Sequence, residues 1–227
     1  MREASTHSFR RDRRDRLLVA ALPHIVFDGW GLPSLRAAAR DLGLNDGAVQ
    51  AAFPDPGRDS VAHFSDWADR RLLDQFEPSN LLKMKVRDRV ALVLRTRLEV
   101  LEGNKEAVRR ASGFLSLPTN HVVAARLVYR TVDEIWHLAG DEATDFNFYT
   151  KRGLLAAVLM STTLFWLDDE SEGHAESWAF LNRRIGDIMK IPRRQADLRQ
   201  TMDRMMHPLW DFVRGRKSPK VDPCGVV

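Results

Sequence analysis

Cysteine is almost absent from this chain of 227 residues, in which Cys224 is the single thiol. One thiol can form neither an intrachain disulfide nor a cysteine metal site, and its scarcity favours a reducing compartment. Glycine is also sparse, at 13 residues, whereas 44% of the residues are hydrophobic. The fold must therefore rest on an apolar core, which a chain of this length can bury as one domain or as two small ones.

Long apolar runs are missing as well. The longest nearly apolar stretch, residues 153–167, has 15 residues and includes Ser161, Thr162 and Thr163, whereas a bilayer-spanning helix needs about 20 apolar residues. This stretch is predicted to be a buried central helix. The first sixteen residues carry six arginines mixed with acidic residues and precede no apolar leader core, so no secretory signal is predicted.

Basic residues are concentrated near the two ends. The formal net charge is +4, and residues 193–220 carry eight Lys or Arg against three Asp, a local charge of +5. The rest of the chain is therefore close to neutral. We therefore expect the two ends of the chain to lie against an anionic surface.

Apolar residues recur at helical spacing along almost the whole chain, which predicts an all-α fold of about ten helices. The first helix is expected over residues 9–28 with a kink at Pro23, and two short ones over 33–42 and 46–53, with Asn45 as an N-cap. A longer helix after Pro56 is predicted to stop near Pro78. The remaining helices are predicted over residues 86–102, 106–115, 121–139, 148–167, 176–189 and 193–213.

The first four of these helices resemble the N-terminal part of TetR-family repressors, with a helix-turn-helix opened by Gly29 and Trp30. We expect a helix-turn-helix unit at 1–57, a helical ligand-binding bundle at 58–190, an amphipathic helix at 193–214 and a flexible tail at 215–227. The presumed recognition helix has no Lys or Arg and begins with Asp46, which would bring negative charge towards DNA phosphate. DNA binding is therefore the weaker reading, although Arg36, Arg40 and Arg58 flank the motif.

Residues 133–152 are unusual because three aromatic residues, Phe146, Phe148 and Tyr149, fall within four positions at the start of a helix. At 100° per residue they spread over most of the helix circumference, so they cannot all face one core. Exposed aromatics beside charges are typical of protein contacts, whereas a loop that folds back would bury them. The residues alone leave both readings open.

The same segment resembles the accessory proteins of coenzyme Q biosynthesis, the lipid-binding TetR-like proteins of ubiquinone synthesis. The resemblance rests on Trp136-His137, Ala139-Gly140-Asp141, Thr144-Asp145-Phe146-Asn147, Tyr149-Thr150 and Arg152. It extends over about residues 14–190. It weakens over 78–118 and in the C-terminal helix.

The resemblance implies a homodimeric, non-catalytic protein without a cofactor other than its bound lipid, an isoprenoid quinone or a phospholipid. Such a protein presents a quinone intermediate to a di-iron demethoxyubiquinone hydroxylase, reversibly at a membrane surface. The expected location is the bacterial cytoplasm beside the inner membrane, or the mitochondrial matrix. The implied hydroxylase contacts are Asp145, Phe146, Asn147, Phe148, Tyr149 and Arg152.

An isoprenoid tail requires a long apolar cavity, and the helix at 153–167 is apolar on nearly every face. The predicted wall residues are Val128, Val132, Ile135, Leu155, Val158, Leu159 and Thr162. Close packing of the same residues into a solid core is the alternative.

The last predicted helix pairs an apolar face with a basic one. Arg199, Met202, Met206, Leu209 and Trp210 are the predicted membrane contacts. A terminal helix docked on the fold or at a dimer contact would show the same pattern.

No motif predicts catalysis. Glu134 and His137 form one Glu-x-x-His pair, but the second pair that a di-iron bundle needs is missing from the sequence. No metal site is therefore predicted. The rival function is a TetR-family transcriptional repressor that responds to an apolar ligand.

Overall fold

The computed structural model describes residues 2–76, 81, 83–140 and 147–190, with the side chains of 10–76, 81, 83–140 and 152–188. Within these ranges the fold is all-helical, as predicted. The described residues up to 186 form one compact unit, and residues 187–190 belong to a second. The nine described α-helices are α1 (Arg2–Asp28), α2 (Leu32–Asp41), α3 (Asp46–Ala52), α4 (Pro56–Leu73), α5 (Val86–Val100), α6 (Lys105–Ser116), α7 (His121–Leu138), α8 (Asn147–Asp168) and α9 (Ala175–Lys190).

Helix ends follow the local chemistry that the sequence predicts. The side chain of Asn45 accepts a hydrogen bond from the Ala48 amide at 3.0 Å and caps α3. Gly140 has a φ of 75° after α7, the left-handed conformation that favours glycine at a helix C-terminus. The predicted N-cap at Asn45 is therefore confirmed.

Two predicted helix bounds differ from the structure. Helix α1 begins at Arg2, earlier than the predicted start at residue 9, and it continues through Pro23, where the kink stays a prediction. Helix α4 ends at Leu73, earlier than the predicted stop near Pro78, with Asp74 as its C-cap. Phe76 is therefore outside the helix, although it continues the apolar spacing of α4. Side-chain spacing alone cannot show where backbone hydrogen bonding stops.

Trp30 joins the helix-turn-helix to the rest of the compact unit. Its indole is buried and donates a hydrogen bond from Nε1 to the carbonyl oxygen of Ala107 on α6 at 3.0 Å. Its ring lies 5.1 Å from that of Phe64 on α4, centre to centre. A buried aromatic with a satisfied N–H fixes both position and orientation. The three N-terminal helices are thus packed on the same core as α4 and α6.

A charged cluster fastens α1 to α4. His63 Nε2 lies 2.7 Å from Asp15 Oδ1, and Arg70 donates to both oxygens of Asp15 at 2.7 and 2.8 Å. Burial of the His63 ring, followed by the positive charge of Arg14, lowers the pKa of His63 despite the nearby Asp15 carboxylate. The neutral imidazole is therefore the form that the fold favours.

We predict that the free energy of unfolding falls as the pH drops below about 6.5, the ordinary pKa of histidine. Because the folded pKa is the lower one, the unfolded chain binds more protons in this range, and the stabilisation present above pH 6.5 is lost as the pH falls through the folded pKa. Urea denaturation of the full chain at several pH values measures this slope. His63→Gln is the control, and an unchanged slope in that variant would assign the effect to other groups.

Candidate functional site: an apolar cavity among five helices

An apolar cavity of about 310 Å³ lies among helices α4 to α8. Ligand pockets of small molecules range from about 300 to 1,000 Å³, so this one is at the small end. Its wall is mainly aliphatic and contains a few hydroxyl groups and one guanidinium. The lining residues are Val61, Phe64, Ser65, Ala68, Arg97, Leu101, Val108, Ala111, Ser112, Leu115, Ser116, Ala124, Leu127, Val128, Thr131, Leu159, Met160, Thr163 and Leu164.

Small side chains keep this space open. Ala68 on α4, Ala111 on α6 and Ala124 on α7 all face the cavity, as do Ser65 and Ser112. Alanine and serine extend only one heavy atom beyond Cβ at most, so they do not fill the gap between neighbouring helices. An apolar void of this kind forfeits packing energy that larger side chains would recover.

The cavity runs from an exposed rim to a buried floor. Met160 and Leu164 lie one turn apart on α8, and their exposed fractions are 54% and 57%. Other lining residues, among them Ala68, Leu127 and Thr131, are buried and form the part of the wall that we call the floor. An apolar ligand can therefore enter between exposed apolar side chains without first crossing a polar surface.

The floor carries the charged member of the lining, Arg97 of α5. Its guanidinium Nε donates to Asp69 Oδ1 at 2.9 Å, and Nη2 donates to Ser65 Oγ and Thr131 Oγ1, both at 3.4 Å. The Thr131 hydroxyl lies 3.1 and 3.2 Å from the two Asp69 oxygens. A polar group at one end of an apolar pocket is the usual means of orienting a ligand. Sequence spacing gives no signal for Arg97, because it lies among other arginines on α5.

Of the seven predicted wall residues, Val128 and Leu159 line the cavity. The other five, Val132, Ile135, Leu155, Val158 and Thr162, are buried among the helices but are not part of its lining. On α7 the lining positions 124, 127, 128 and 131 share one face, and Ile135 lies one turn beyond them. On α8 the lining residues occupy one side, and Leu155, Val158 and Thr162 lie on the adjacent side.

The structure describes only some of the predicted hydroxylase contacts. Asp145 and Phe146 lie outside the described residues. Asn147, Phe148 and Tyr149 form the first turn of α8, with only their backbone described. Arg152 is buried and pairs with Asp133 of α7 through Nε at 2.8 Å and Nη2 at 2.7 Å. This pair ties the start of α8 to α7, while a direct partner contact through Arg152 stays a prediction.

Two arginines that flank the helix-turn-helix are engaged within the chain. Arg36 pairs with Asp46 at 2.9 Å, at the N-terminus of α3. Arg58 donates to Asn120 Oδ1 at 2.9 Å and to the Thr119 carbonyl at 3.1 Å. Cations in such pairs must exchange an existing partner before they can contact phosphate.

The predicted membrane contacts Arg199, Met202, Met206, Leu209 and Trp210 lie outside the described residues. Within the described part of the chain, no helix is long and apolar enough to cross a membrane. The same residues contain no group of three or more His, Cys, Asp or Glu side chains that could hold a metal ion.

Comparison with known proteins identifies relatives of this chain. The COQ9 family model matches residues 122–192, which include α7, α8 and the segment between them. The chain is related to the COQ9 family. The resemblance predicted from residues 133–152 is thereby confirmed. The mitochondrial ubiquinone biosynthesis proteins COQ9 of Bos taurus and Homo sapiens are each 31% identical over 201 residues, 86% of this chain. The chain spans 63% of the length of these two relatives.

A solved structure supports the TetR-like fold. The TetR transcriptional regulator from Nitrosomonas europaea superposes with a TM-score of 0.62 at 22% sequence identity. The match covers 76% of this chain and 95% of the regulator. At this identity the likeness establishes the fold, and the predicted TetR-like arrangement is confirmed at that level.

Two valines of α7 allow the cavity wall to be compared with the solid core, because Val128 lines the cavity and Val132 is buried outside it. We predict that Val132→Ala costs about 2 kcal/mol of unfolding free energy, because the fully buried side chain leaves a new void. Val128→Ala should cost less than half as much, because its methyl groups border space that is already empty. Denaturant unfolding of both variants, after removal of any bound lipid, measures the difference. Equal costs would show that side chains of the protein fill this space in solution.

Proposed function

We propose that the protein acts in ubiquinone biosynthesis as a non-catalytic, lipid-binding accessory protein. The relatives support the pathway, since the COQ9 proteins are named as ubiquinone biosynthesis proteins. The observation that carries the lipid-binding part is the apolar cavity with its exposed rim at Met160 and Leu164. An apolar cavity costs packing energy, and a bound apolar ligand recovers it.

The cavity volume limits what is held inside the protein. An engineered apolar cavity of about 150 Å³ in another protein holds one benzene ring. A cavity of about 310 Å³ therefore holds roughly two such groups, on the order of a dozen carbon atoms. A polyprenyl chain of several isoprene units would extend past the rim, which favours a lipid that is held by one end.

The exposed face of α8 supports a homodimer. Gly153, Ala157, Met160 and Leu164 are exposed and lie at spacings that place them along one side of the helix. Small residues at Gly153 and Ala157 allow a second helix to approach closely. A second copy packed there would bring two cavity rims side by side and cover the apolar stripe.

The proposed partner is a di-iron hydroxylase of the same pathway, contacted through Asp145, Phe146, Asn147, Phe148, Tyr149 and Arg152. Within the COQ9 match, Asn147, Phe148 and Tyr149 open α8, the helix that also carries the cavity rim. A partner bound at this helix terminus would therefore lie on the element that carries the ligand. Reversible membrane contact through Arg199, Met202, Met206, Leu209 and Trp210 would bring both proteins to their lipid substrates. The relatives are named as mitochondrial proteins, and we propose that this protein lies in the mitochondrial matrix, or in the bacterial cytoplasm beside the inner membrane.

A ligand-responsive repressor is the second candidate, favoured by the likeness to the Nitrosomonas europaea regulator. The pairing of Asp46 with Arg36 argues against it, because the N-terminus of α3 then carries a carboxylate where DNA phosphate would approach. A repressor should bind duplex DNA with a steep salt dependence. We expect the purified protein to show no specific binding to DNA at physiological salt.

Mass spectrometry of lipids extracted from the purified full chain tests the first proposal. We predict an isoprenoid quinone precursor or a phospholipid in the wild-type protein and its loss in Ala111→Phe, whose ring would enter the cavity from α6. Unchanged helical content and an equal or higher unfolding midpoint would show that the variant is folded. Retention of the same lipid by folded Ala111→Phe would contradict the assignment of this cavity.

A charged substitution at Phe148 tests the proposed contact with the hydroxylase. Phe148→Lys should weaken its capture by thirtyfold or more, the loss expected for an anchor worth about 2 kcal/mol, while the bound lipid is retained. Val122→Lys, at an exposed valine on α7, is the matched control for an added charge. Equal capture by Phe148→Lys and wild-type protein would remove this surface from the proposal.

A further inference from the structure

Arg97 is a charged side chain in the wall of a cavity that is mainly apolar, where it can form hydrogen bonds with a ligand. The residue is 91% buried, since its exposed fraction is 9%, and it shares the cavity floor with Ser65 and Thr131. Burying a guanidinium has a high desolvation cost. The cost is reduced by the carboxylate of Asp69, which is buried and lies outside the cavity lining.

The hydrogen bonds around Arg97 leave donor capacity on the side of the cavity. The close contact, from Nε to Asp69 at 2.9 Å, uses one of five N–H groups. The contacts of Nη2 with Ser65 and Thr131 are long, both 3.4 Å, and long hydrogen bonds are weak. Nη1 takes part in none of these three bonds.

Asp69 is satisfied by protein groups alone. It accepts from Arg97, from the hydroxyl of Thr131 at 3.1 and 3.2 Å, and from Arg130 Nη2 at 3.4 Å. Arg130 also pairs with Asp66 at 3.7 Å, so two carboxylates balance the charges of Arg97 and Arg130. A second anion brought to Arg97 would lie close to the Asp69 carboxylate and be repelled, whereas a neutral acceptor would gain a charge-assisted hydrogen bond without that repulsion.

We propose that Arg97 and Ser65 form a head-group subsite that receives a neutral carbonyl oxygen, as in a quinone, ketone or ester, at the buried end of the lipid. This inference rests on the proposed lipid-binding function and specifies the chemistry of the ligand. The head group lies at the floor, and the apolar tail leaves past Met160 and Leu164. The carbonyl is shielded from solvent while the lipid is bound, and it becomes accessible when the lipid is transferred.

Displacement of the neutral fluorescent probe N-phenyl-1-naphthylamine from the full-length protein tests the subsite. Three competitors of equal length and branching are compared: geranylacetone, which has a ketone, the hydrocarbon that lacks the oxygen, and the matching carboxylate. We expect the ketone to bind about tenfold more tightly than the hydrocarbon, the typical effect of one charge-assisted hydrogen bond. The carboxylate should bind more weakly than the ketone.

Two variants test whether the preference for the ketone over the hydrocarbon arises from the polar residues of the cavity floor. Ser65→Ala removes one polar group but keeps the pair of Arg97 with Asp69, and it should reduce the ketone preference to about threefold. Arg97→Met combined with Asp69→Leu removes both charges together and should abolish the preference. Ser112→Ala is the matched control, because Ser112 also lines the cavity but bonds to the Val108 carbonyl of its own helix; its ketone preference should be unchanged.

The outcomes separate the subsite from the lipid-binding function. Equal binding of ketone and hydrocarbon, or tightest binding of the carboxylate, would overturn the subsite and leave the lipid cavity in place. A ketone preference that survives in Ser65→Ala at full size would overturn the role of Ser65. If no competitor displaces the probe, the lipid-binding function fails and the subsite fails with it. If the double variant does not fold, the comparison of Ser65→Ala with Ser112→Ala still tests whether the subsite causes the ketone preference.

Discussion

The carboxylate of Asp69 joins three helices at one point, and the cavity depends on that junction. Asp69 belongs to α4 and accepts hydrogen bonds from Arg97 on α5 and from Thr131 and Arg130 on α7. Small side chains line the cavity beside this junction. A buried pair of this kind is strongly destabilising to break from one side, because the remaining charge has no water to solvate it. The polar link therefore fixes the relative positions of three helices that line the cavity.

The junction also explains how one cavity can be apolar and directional. An aliphatic wall provides affinity in proportion to buried area but does not orient a ligand along the cavity axis. Arg97 differs from every other lining residue in charge, and it is buried whereas Met160 and Leu164 are exposed. Under the proposed function, this single residue would orient the lipid, and the rest of the wall could accept tails of different lengths.

The fold was more predictable than the site. Helical spacing and caps such as Asn45 and Gly140 are local properties, so the sequence located the described helices within a few residues, apart from the start of α1 and the end of α4. The cavity depends on which side of a helix meets another helix. Because α8 is apolar all round, its sequence could not separate Leu159, which lines the cavity, from Leu155, which is buried beside it. Arg97 was missed because its partner Asp69 is distant in the sequence and no spacing rule relates them.

The helix-turn-helix contributes to the core beside the cavity. Trp30 donates to the backbone of α6 and lies against Phe64, so the unit contributes a buried aromatic to the same core as the cavity wall. Phe64 itself lines the cavity. Removal of the N-terminal helices would therefore expose one side of the ligand site. The contacts of Trp30 hold this unit on the core independently of any contact between α3 and DNA.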